Sequence, residues 1–342
     1  MAALKALLIS DGRPGHFHLA EGILAAAGRV RPLDITTIEA RRPRWLTPGL
    51  LWRLSTSGLS PALILGYAYG IDAAALPEAK LVVSAGGDTL AANIASARLL
   101  GAENVFYGSL RRYAPESFGL VLTSYARNSA KPRHVMTLKP SRLDPDTLGP
   151  TRSGSNQAIQ RLGLLVGGDA GTVRYRTEDW DRLLAFIGSQ HKAAATRWIA
   201  SNSPRTPPLF SDALLRLSKA PGGPIAEFID VRTAGTGTLA HLFAHSDGVV
   251  CTADSSSMLS EVVWARRPAI SVFPAGMSLP ADEMDYRRYL ETSGWARSIP
   301  IAALSPDRFA AELGAIRPLE SNPLDLLAEI LKRELPAVFA TP

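Results

Sequence analysis

Cysteine is almost missing from this chain of 342 residues: the one thiol, Cys251, lies inside an apolar run. A lone cysteine builds neither an intrachain disulfide framework nor a multi-cysteine zinc site, and it fits a reducing compartment. Long hydrophobic runs are missing as well. The most apolar window, Leu59 to Leu76, is broken by Pro61, Gly66, Gly70 and Asp72 and falls short of a membrane-spanning helix. The opening, Met1 to Ile9, is too short for a signal-peptide core and runs into a glycine loop, so it reads as a first strand. These absences predict a soluble, cytoplasmic protein. No glycine loop matches the dinucleotide fingerprint or a phosphate loop with its lysine, which counts against a nicotinamide enzyme or an NTPase. The serines of Asp254-Ser255-Ser256-Ser257 lack a nucleophile-elbow frame, which counts against a hydrolase. His241 and His245 have i, i+4 spacing, but Leu242-Phe243-Ala244 between them lacks the glutamate of a metalloprotease helix, so the pair reads as packing. No repeat of 20–50 residues and no heptad stands out.

What is present divides in two. Short apolar runs alternate with amphipathic segments twice over, the pattern of an α/β chain with two parallel sheets wrapped by helices. Strands are predicted at Leu4–Ile9, Leu81–Ser84, Asn104–Tyr107 and Gly119–Thr123. The second half offers Gly163–Val166, Thr196–Ala200, Ile225–Val231, Gly248–Thr252 and Ala269–Phe273. Between the halves, Lys139 to Gln157 is rich in proline and glycine and reads as a linker, which predicts domains over 1–150 and 151–342. The charge is uneven too. Residues 1–155 hold 18 of the 37 Lys and Arg but 11 of the 31 Asp and Glu, so the net +6 belongs to the first half. There, Arg41-Arg42-Pro43-Arg44-Trp45-Leu46 and Leu50-Leu51-Trp52-Arg53 mix cations with Trp and Leu. Such a stretch suits an anionic lipid surface better than a nucleic-acid groove. The alternative is a surface helix whose Trp and Leu pack inward while its arginines are solvated.

In doubly wound sheets, ligands sit beyond the carboxyl ends of the strands, which directs attention to the loops there. Ser10 to His16 follows the first strand, Ala85-Gly86-Gly87-Asp88-Thr89 follows the next, and Gly167-Gly168-Asp169-Ala170-Gly171-Thr172 opens the second half. Glycines let backbone amides approach an anion, though a tight turn selects them as well. His16 ends its loop where a helix begins and can serve as a general base; otherwise it caps the helix or holds the loop. Asp11 and Asp88 are rival bases or hydroxyl acceptors, or they tie the backbone of their turns. The most informative segment runs from Val249 through Asp254-Ser255-Ser256-Ser257 to Glu261. It reads as a buried strand, a hydroxyl-rich turn opening a helix, and one carboxylate in the second turn. That unit offers a helix N-terminus to a diphosphate and a carboxylate to a ribose, or it is an ordinary capped strand–helix–strand. Arg205 follows a predicted strand and can offset charge on a departing diphosphate, or it is a solvated loop residue. Asp282, Glu283, Asp285, Arg287 and Arg288 crowd the segment beyond Phe273, beside a sugar or on an exposed helix face.

Taken together, four motifs resemble the mitochondrial fission "elongated mitochondria" family. They are Asp11-Gly12-Arg13-Pro14-Gly15-His16, Gly86-Gly87-Asp88-Thr89-Leu90-Ala91-Ala92-Asn93, Arg205-Thr206-Pro207, and Asp254 to Glu261. The second half also resembles GT-B glycosyltransferases, in particular the lipid-linked N-acetylglucosaminyltransferases of peptidoglycan synthesis. The resemblance implies two Rossmann-like domains in a GT-B arrangement with an interdomain cleft, a nucleotide-sugar donor, and neither a metal nor another cofactor. It places His16 and Glu261 at the acceptor-side histidine and the ribose-binding glutamate. The transferase pattern has glycine five residues after that glutamate; this chain has Arg266, which either crowds the pocket or adds a phosphate contact.

The expected activity is transfer of a sugar from a nucleotide diphosphate held by the second half to an acceptor, possible at a membrane, held by the first. His16, with Asp88 as the further catalytic candidate, takes the acceptor proton. Gly168, Thr172, Ser256 and Ser257 cradle phosphates, Arg205 meets the leaving charge and Glu261 the ribose. A nucleotide-sugar epimerase of the same architecture, and a non-catalytic adaptor at a membrane surface, are the alternatives.

Overall fold

The structure is a computed structural model and describes residues 2–149, 161–235 and 237–339. The chain forms two compact units, Met1–Arg142 with Pro323–Pro342, and Leu143–Asn322.

In chain order the first unit contains β1 (Leu4–Ser10), α1 (Pro14–Val30), β2 (Leu33–Glu39), α2 (Pro48–Thr56), α3 (Pro61–Tyr69), β3 (Leu81–Ala85), α4 (Leu90–Leu100), β4 (Glu103–Tyr107), β5 (Leu120–Thr123), α5 (Ala126–Ser129) and β6 (His134–Met136). The second contains β7 (Arg161–Leu165), α6 (Thr177–Ala194), β8 (Arg197–Ser201), α7 (Pro208–Lys219), β9 (Ile225–Ile229), α8 (Thr238–Ala244), β10 (Gly248–Thr252), α9 (Ser256–Trp264), β11 (Ala269–Phe273), α10 (Ala281–Thr292), β12 (Ala296–Pro300) and α11 (Pro306–Gly314). The chain then returns to the first unit as α12 (Pro323–Glu334) and α13 (Pro336–Phe339).

Both sheets have six strands, all parallel. The first runs β2-β1-β3-β4-β5-β6 and the second β12-β11-β10-β7-β8-β9. Each order reverses direction once, between β1 and β3 in the first sheet and between β7 and β10 in the second. These switch points decide where a ligand can sit, because the loops leaving the two strands diverge to opposite faces and open a crevice.

The nine strands predicted from apolar runs match observed strands to within two residues at either end. The three additional ones, β2, β6 and β12, are all sheet edges. A central parallel strand is covered on both faces and reads as an unbroken apolar run, as in β3, where every residue is buried. An edge strand is half solvated, and β2, with Asp34, Thr36 and Thr37 in the open, has no such run.

The boundary between the units also differs from the expected 150/151. Part of the linker expected over Lys139–Gln157 lies outside the described residues. Its described portion already belongs to the second unit from Leu143: Trp264 Nε1 donates to the Leu143 carbonyl at 2.9 Å, and Asn322 Nδ2 donates to both Asp144 and Asp146 at 2.9 Å. The chain end rejoins the first unit because α12 is amphipathic. Its Leu324, Leu327, Ala328 and Leu331 are buried, and α12 lies against α1. Each buried leucine stabilises that docking by roughly 1.5–3 kcal/mol.

Candidate functional site

Polar and glycine-rich loops gather at each switch point.

In the first unit, the β1 loop turns through Gly12 at φ +79° and enters α1 with Pro14 in the first turn. Proline there costs no hydrogen bond and presets the helical φ. His16 thereby stands at the helix start, and its Nδ1 lies 2.7 Å from Asp11 Oδ2, whose side chain is almost fully buried. A carboxylate on Nδ1 keeps the proton on that nitrogen and leaves Nε2 as the basic one. Nε2 has no partner among the described residues. The imidazole lies across Gly86, where a Cβ would overlap the ring and where φ is +87°. Asp11, weighed from sequence as a rival base, instead orients His16.

Asp88 is differently placed. Its carboxylate accepts from Arg42 Nε at 3.2 Å and Arg13 Nη2 at 3.4 Å, and its carbonyl accepts the Tyr69 hydroxyl at 2.8 Å. Two guanidinium groups thus share its carboxylate. Thr89 and Asn93 of the same motif lock the turn from below. Thr89 Oγ1 lies 3.0 Å from Ser84 Oγ and 2.9 Å from the Gly86 carbonyl, and Asn93 Nδ2 donates to Ser84 Oγ at 2.9 Å. Both residues are fully buried, so this polar motif is framework.

In the second unit, the loop after β7 is built on close backbone approach. A Cβ at Gly167 would overlap the Asp254 carboxylate, and one at Gly168 would overlap the Arg205 carbonyl; neither glycine has a positive φ. Glycine is required here for space. Gly167 N–H donates to Thr252 Oγ1 at 2.7 Å, Thr252 donates to Asp254 Oδ1 at 2.7 Å, and Arg205 Nη2 donates to Asp254 Oδ2 at 2.6 Å. Thr206 Oγ1 lies 2.8 Å from the carbonyls of both Val166 and Gly167. The Asp254 side chain is 0% exposed. This network joins three motifs that are far apart in sequence: the glycine loop, Arg205-Thr206-Pro207 and the Asp254 turn. The linear sequence does not show it, because its partners lie 49 and 85 positions apart and meet only where the loops pack.

Of the other expected donor-side residues, Ser255 caps α9, accepting from Met258 N–H at 3.2 Å. Ser256 hydroxyl donates to Glu283, and Thr172 hydroxyl donates to the Ser278 carbonyl. Ser257 is exposed in the first turn, and Glu261 stands half-buried in the second turn of the same helix. Gly168, Arg205, Ser256 and Ser257 thus lie at the carboxyl side of β7 and β10, and Glu261 follows in the second turn of α9. Tyr175, absent from the sequence reading, lies there too; burial first, and the Asp254 carboxylate after it, push its phenol upward.

Three expectations change. Arg266, read as a pocket wall or phosphate contact, ends α9. It has φ +57°, its N–H donates to the Val263 carbonyl at 2.9 Å, and Arg267 N–H donates to the Val262 carbonyl at 3.2 Å, the paired bonds of a Schellman motif. The arginine side chain pairs instead with Asp146 at 2.8 Å. Arg287, from the crowded charge run, is buried and donates to the Ala253 carbonyl at 2.7 Å and Ser271 Oγ at 3.2 Å, whereas Asp285 and Arg288 form an exposed pair. Arg42 is turned inward onto Asp88 and the Leu46 carbonyl, which takes it out of any surface patch.

His241 and His245 lie on the surface with ring centroids 4.4 Å apart and tilted by 40°, and Glu227 is 2.9 Å from His241 Nε2. Among the described residues, no group of three or more His, Cys, Asp or Glu is placed to hold a metal ion, and no helix is long and apolar enough to cross a membrane. Asp144 and Asp146, which share an Asp-x-Asp spacing, are used by Asn322 and Arg266. Burial pushes the Cys251 thiol up to about 12.

Two six-stranded parallel sheets with flanking helices, each with its loops gathered at a switch point, are two Rossmann-like domains, the fold of the GT-B class. The chain belongs to the Mitochondrial fission ELM1 family, whose family model matches residues 14–329. None of the curated proteins matches it in sequence. Among solved structures it is similar to the UDP-GlcNAc 2-epimerase of Methanocaldococcus jannaschii, with a TM-score of 0.57, 12% identity, and coverage of 98% of this chain and 100% of that one. It is also similar to a UDP-glucosyltransferase from Polygonum tinctorium (TM-score 0.53, 11% identity, coverage 100% and 99%) and to MurG of Acinetobacter baumannii (0.50, 12%, 97% and 100%). At these identities the likeness is one of fold.

Proposed function

We propose that this protein is a glycosyltransferase that moves a sugar from a nucleotide diphosphate donor to a hydroxyl acceptor without a metal. The observation that carries the reading is the convergence at the β7/β10 switch point of Gly168, the N-terminal turn of α9, Glu261 and Arg205. Backbone N–H groups and a helix N-terminus suit a diphosphate. Glu261, one turn along, suits the ribose hydroxyls. Arg205 is anchored by Asp254 through one nitrogen, and its other guanidinium N–H groups have no partner among the described residues. They are available to the leaving group.

In the transfer, His16 Nε2 accepts the acceptor proton while the hydroxyl oxygen bonds to the anomeric carbon. The carbon–oxygen bond to the diphosphate breaks, and its electron pair leaves on the diphosphate oxygen, offset by Arg205 and the α9 N-terminus. Two of the similar structures, the Methanocaldococcus UDP-GlcNAc 2-epimerase and the Polygonum UDP-glucosyltransferase, are UDP-sugar enzymes, which supports a nucleotide-sugar ligand.

The first unit also suits the surface of an anionic membrane. Trp45, Leu50, Leu59, Leu63 and Tyr67 are exposed together over the β2–α2 loop, α2 and α3, with Trp45 and Tyr67 in edge contact at 5.9 Å. Arg44 and Arg53 are exposed in the same segment, and Arg41 is exposed in its pair with Glu39. Trp52 does not belong to this face, since its indole N–H donates to the Arg112 carbonyl at 3.0 Å.

The deciding experiment is thermal stabilisation of the full chain across nucleotide diphosphates and their sugars, with Glu261→Ala in parallel, followed by product analysis. A selective shift that Glu261→Ala abolishes supports the donor pocket, since a ligand that binds the native state raises apparent stability. The absence of any shift defeats it. Conversion of the sugar without an acceptor would make the protein an epimerase.

A further inference from the structure

Next to the His16 loop the first unit encloses a cavity of about 220 Å³, lined by Pro48, Gly49, Leu51, Trp52, Gly87, Arg111, Arg112 and Tyr113. Two of those side chains are arginines without a carboxylate partner. Arg111 makes no side-chain hydrogen bond or ion pair with any described residue; its guanidinium lies flat against Gly87, where a Cβ would overlap it. Gly87 has an ordinary φ, so glycine is needed there for the arginine and not for the turn. Arg111 itself has φ +55°, a conformation that costs a non-glycine residue of the order of 1 kcal/mol. The backbone strain and the glycine serve one result, a cation held in place with no counter-ion. Arg112 completes it. Its guanidinium lies 5.7 Å from the Trp52 ring centroid, and its carbonyl accepts the Trp52 indole N–H. The neighbouring cations are already spent: Arg13 and Arg42 on Asp88, and Arg41 on Glu39.

We infer that this cavity is an anion subsite, and that the acceptor carries a phosphate ester as well as the hydroxyl. Gly86 and Gly87 are adjacent, one packed by the His16 ring and the other by the Arg111 guanidinium, so both side chains lie against a single turn. A phosphate accepts two parallel N–H bonds from one guanidinium, and a second cation over an aromatic ring adds charge without needing a partner of its own. The inference rests on the reading of the first unit as the acceptor side. The phosphate ester belongs either to a lipid headgroup or to a soluble molecule, and the same chemistry would recognise both.

The test is direct binding to the full chain of two probes, sn-glycerol 3-phosphate and vesicles of phosphatidylglycerol in phosphatidylcholine. Four proteins are compared: the unaltered chain, Arg111→Gln, Gly87→Ala, and Arg216→Gln as a charge-matched control on the second unit. Gly87→Ala keeps a tolerated backbone and displaces only the flexible end of Arg111, so it separates loss of the subsite from loss of the fold. Loss of a charge-assisted pair is expected to weaken binding about tenfold or more in Arg111→Gln and Gly87→Ala, with Arg216→Gln unchanged. Weakening seen with glycerol phosphate supports a soluble acceptor, and weakening seen only with the anionic vesicles supports a lipid one. If neither probe distinguishes Arg111→Gln from the unaltered chain, the subsite is wrong. Titrating a nucleotide diphosphate on the same samples reads the second unit separately, so failure of the donor pocket and failure of this subsite are distinct results.

Discussion

The two switch points occupy the same place in two similar sheets and are furnished in opposite ways. At β1/β3 the loops collect side chains: the Asp11–His16 pair, Asp88 with its two arginines, and Arg111 across Gly87. At β7/β10 they collect backbone, with Gly167 and Gly168 pressed onto the Asp254 and Arg205 segments and one helix N-terminus opening beside them. The first arrangement can move a proton and the second can hold an anion. A doubly wound sheet thus decides where a site lies, while the residues on two or three loops decide its chemistry.

The largest effect that should divide the two regions is loss of His16. His16→Ala is expected to lower transfer by about 10²- to 10⁴-fold, the usual worth of a general base, while leaving nucleotide diphosphate affinity unchanged; turnover and calorimetry on one sample check both. Asp11→Asn should act in the same direction more weakly and change the shape of the pH–rate profile, which a residue with a merely structural role would not do. An equal loss of nucleotide affinity in His16→Ala would merge the two sites into one.

Next comes Gly168→Ala. Its Cβ would meet the Arg205 carbonyl, and because backbone cannot swing away, the second unit should lose about 1–3 kcal/mol along with nucleotide binding, read by chemical unfolding and titration.

Cys251 offers a smaller, cleaner contrast, since only the second unit has a thiol. Buried in the native chain and pushed to about 12, it keeps its proton where the unfolded chain ionises from about 9. The stability it contributes is therefore full below pH 9 and declines as pH rises toward 12. A thiol reagent at pH 8 should label it at the opening rate of the second unit, insensitive to Leu7→Ala in the first core. Equal sensitivity would mean that the units open together.

The smallest effect belongs to Arg266→Gly. Relief of the left-handed strain and loss of the Asp146 pair roughly offset, leaving stability within about 1 kcal/mol and nucleotide affinity unchanged. A marked change in nucleotide affinity would return Arg266 to the donor pocket.

Legibility followed burial. Strands covered on both faces, such as β3 and β10, announce themselves as apolar runs, whereas the edge strands β2, β6 and β12 do not. The candidate residues were legible where glycine and polar groups follow a strand, which is how His16, Gly168 and Glu261 came to notice. Their partners were not. Nothing in a linear reading ties Asp254 to Gly167, 87 positions earlier, or Arg111 to Gly87, because close approach is a property of packed loops. The return of α12 to the first unit was hidden for a related reason. Its apolar stripe says that it packs, but not on what.

By itself the sequence determined the α/β class, the two halves, the loops worth examining and the family motifs, since these follow from local periodicity and from residue types with strong backbone preferences. Tertiary structure alone decided the sheet orders and hence the switch points. It turned Asp11 toward His16, buried Asp254 beneath Arg205, spent Arg266 on ending a helix and left Arg111 without a counter-ion. The burial of Asp254 beneath Arg205 and the seat of Arg111 on Gly87 depend on contacts between residues distant in the chain. Such contacts form only when a sheet brings the loops of its neighbouring strands together.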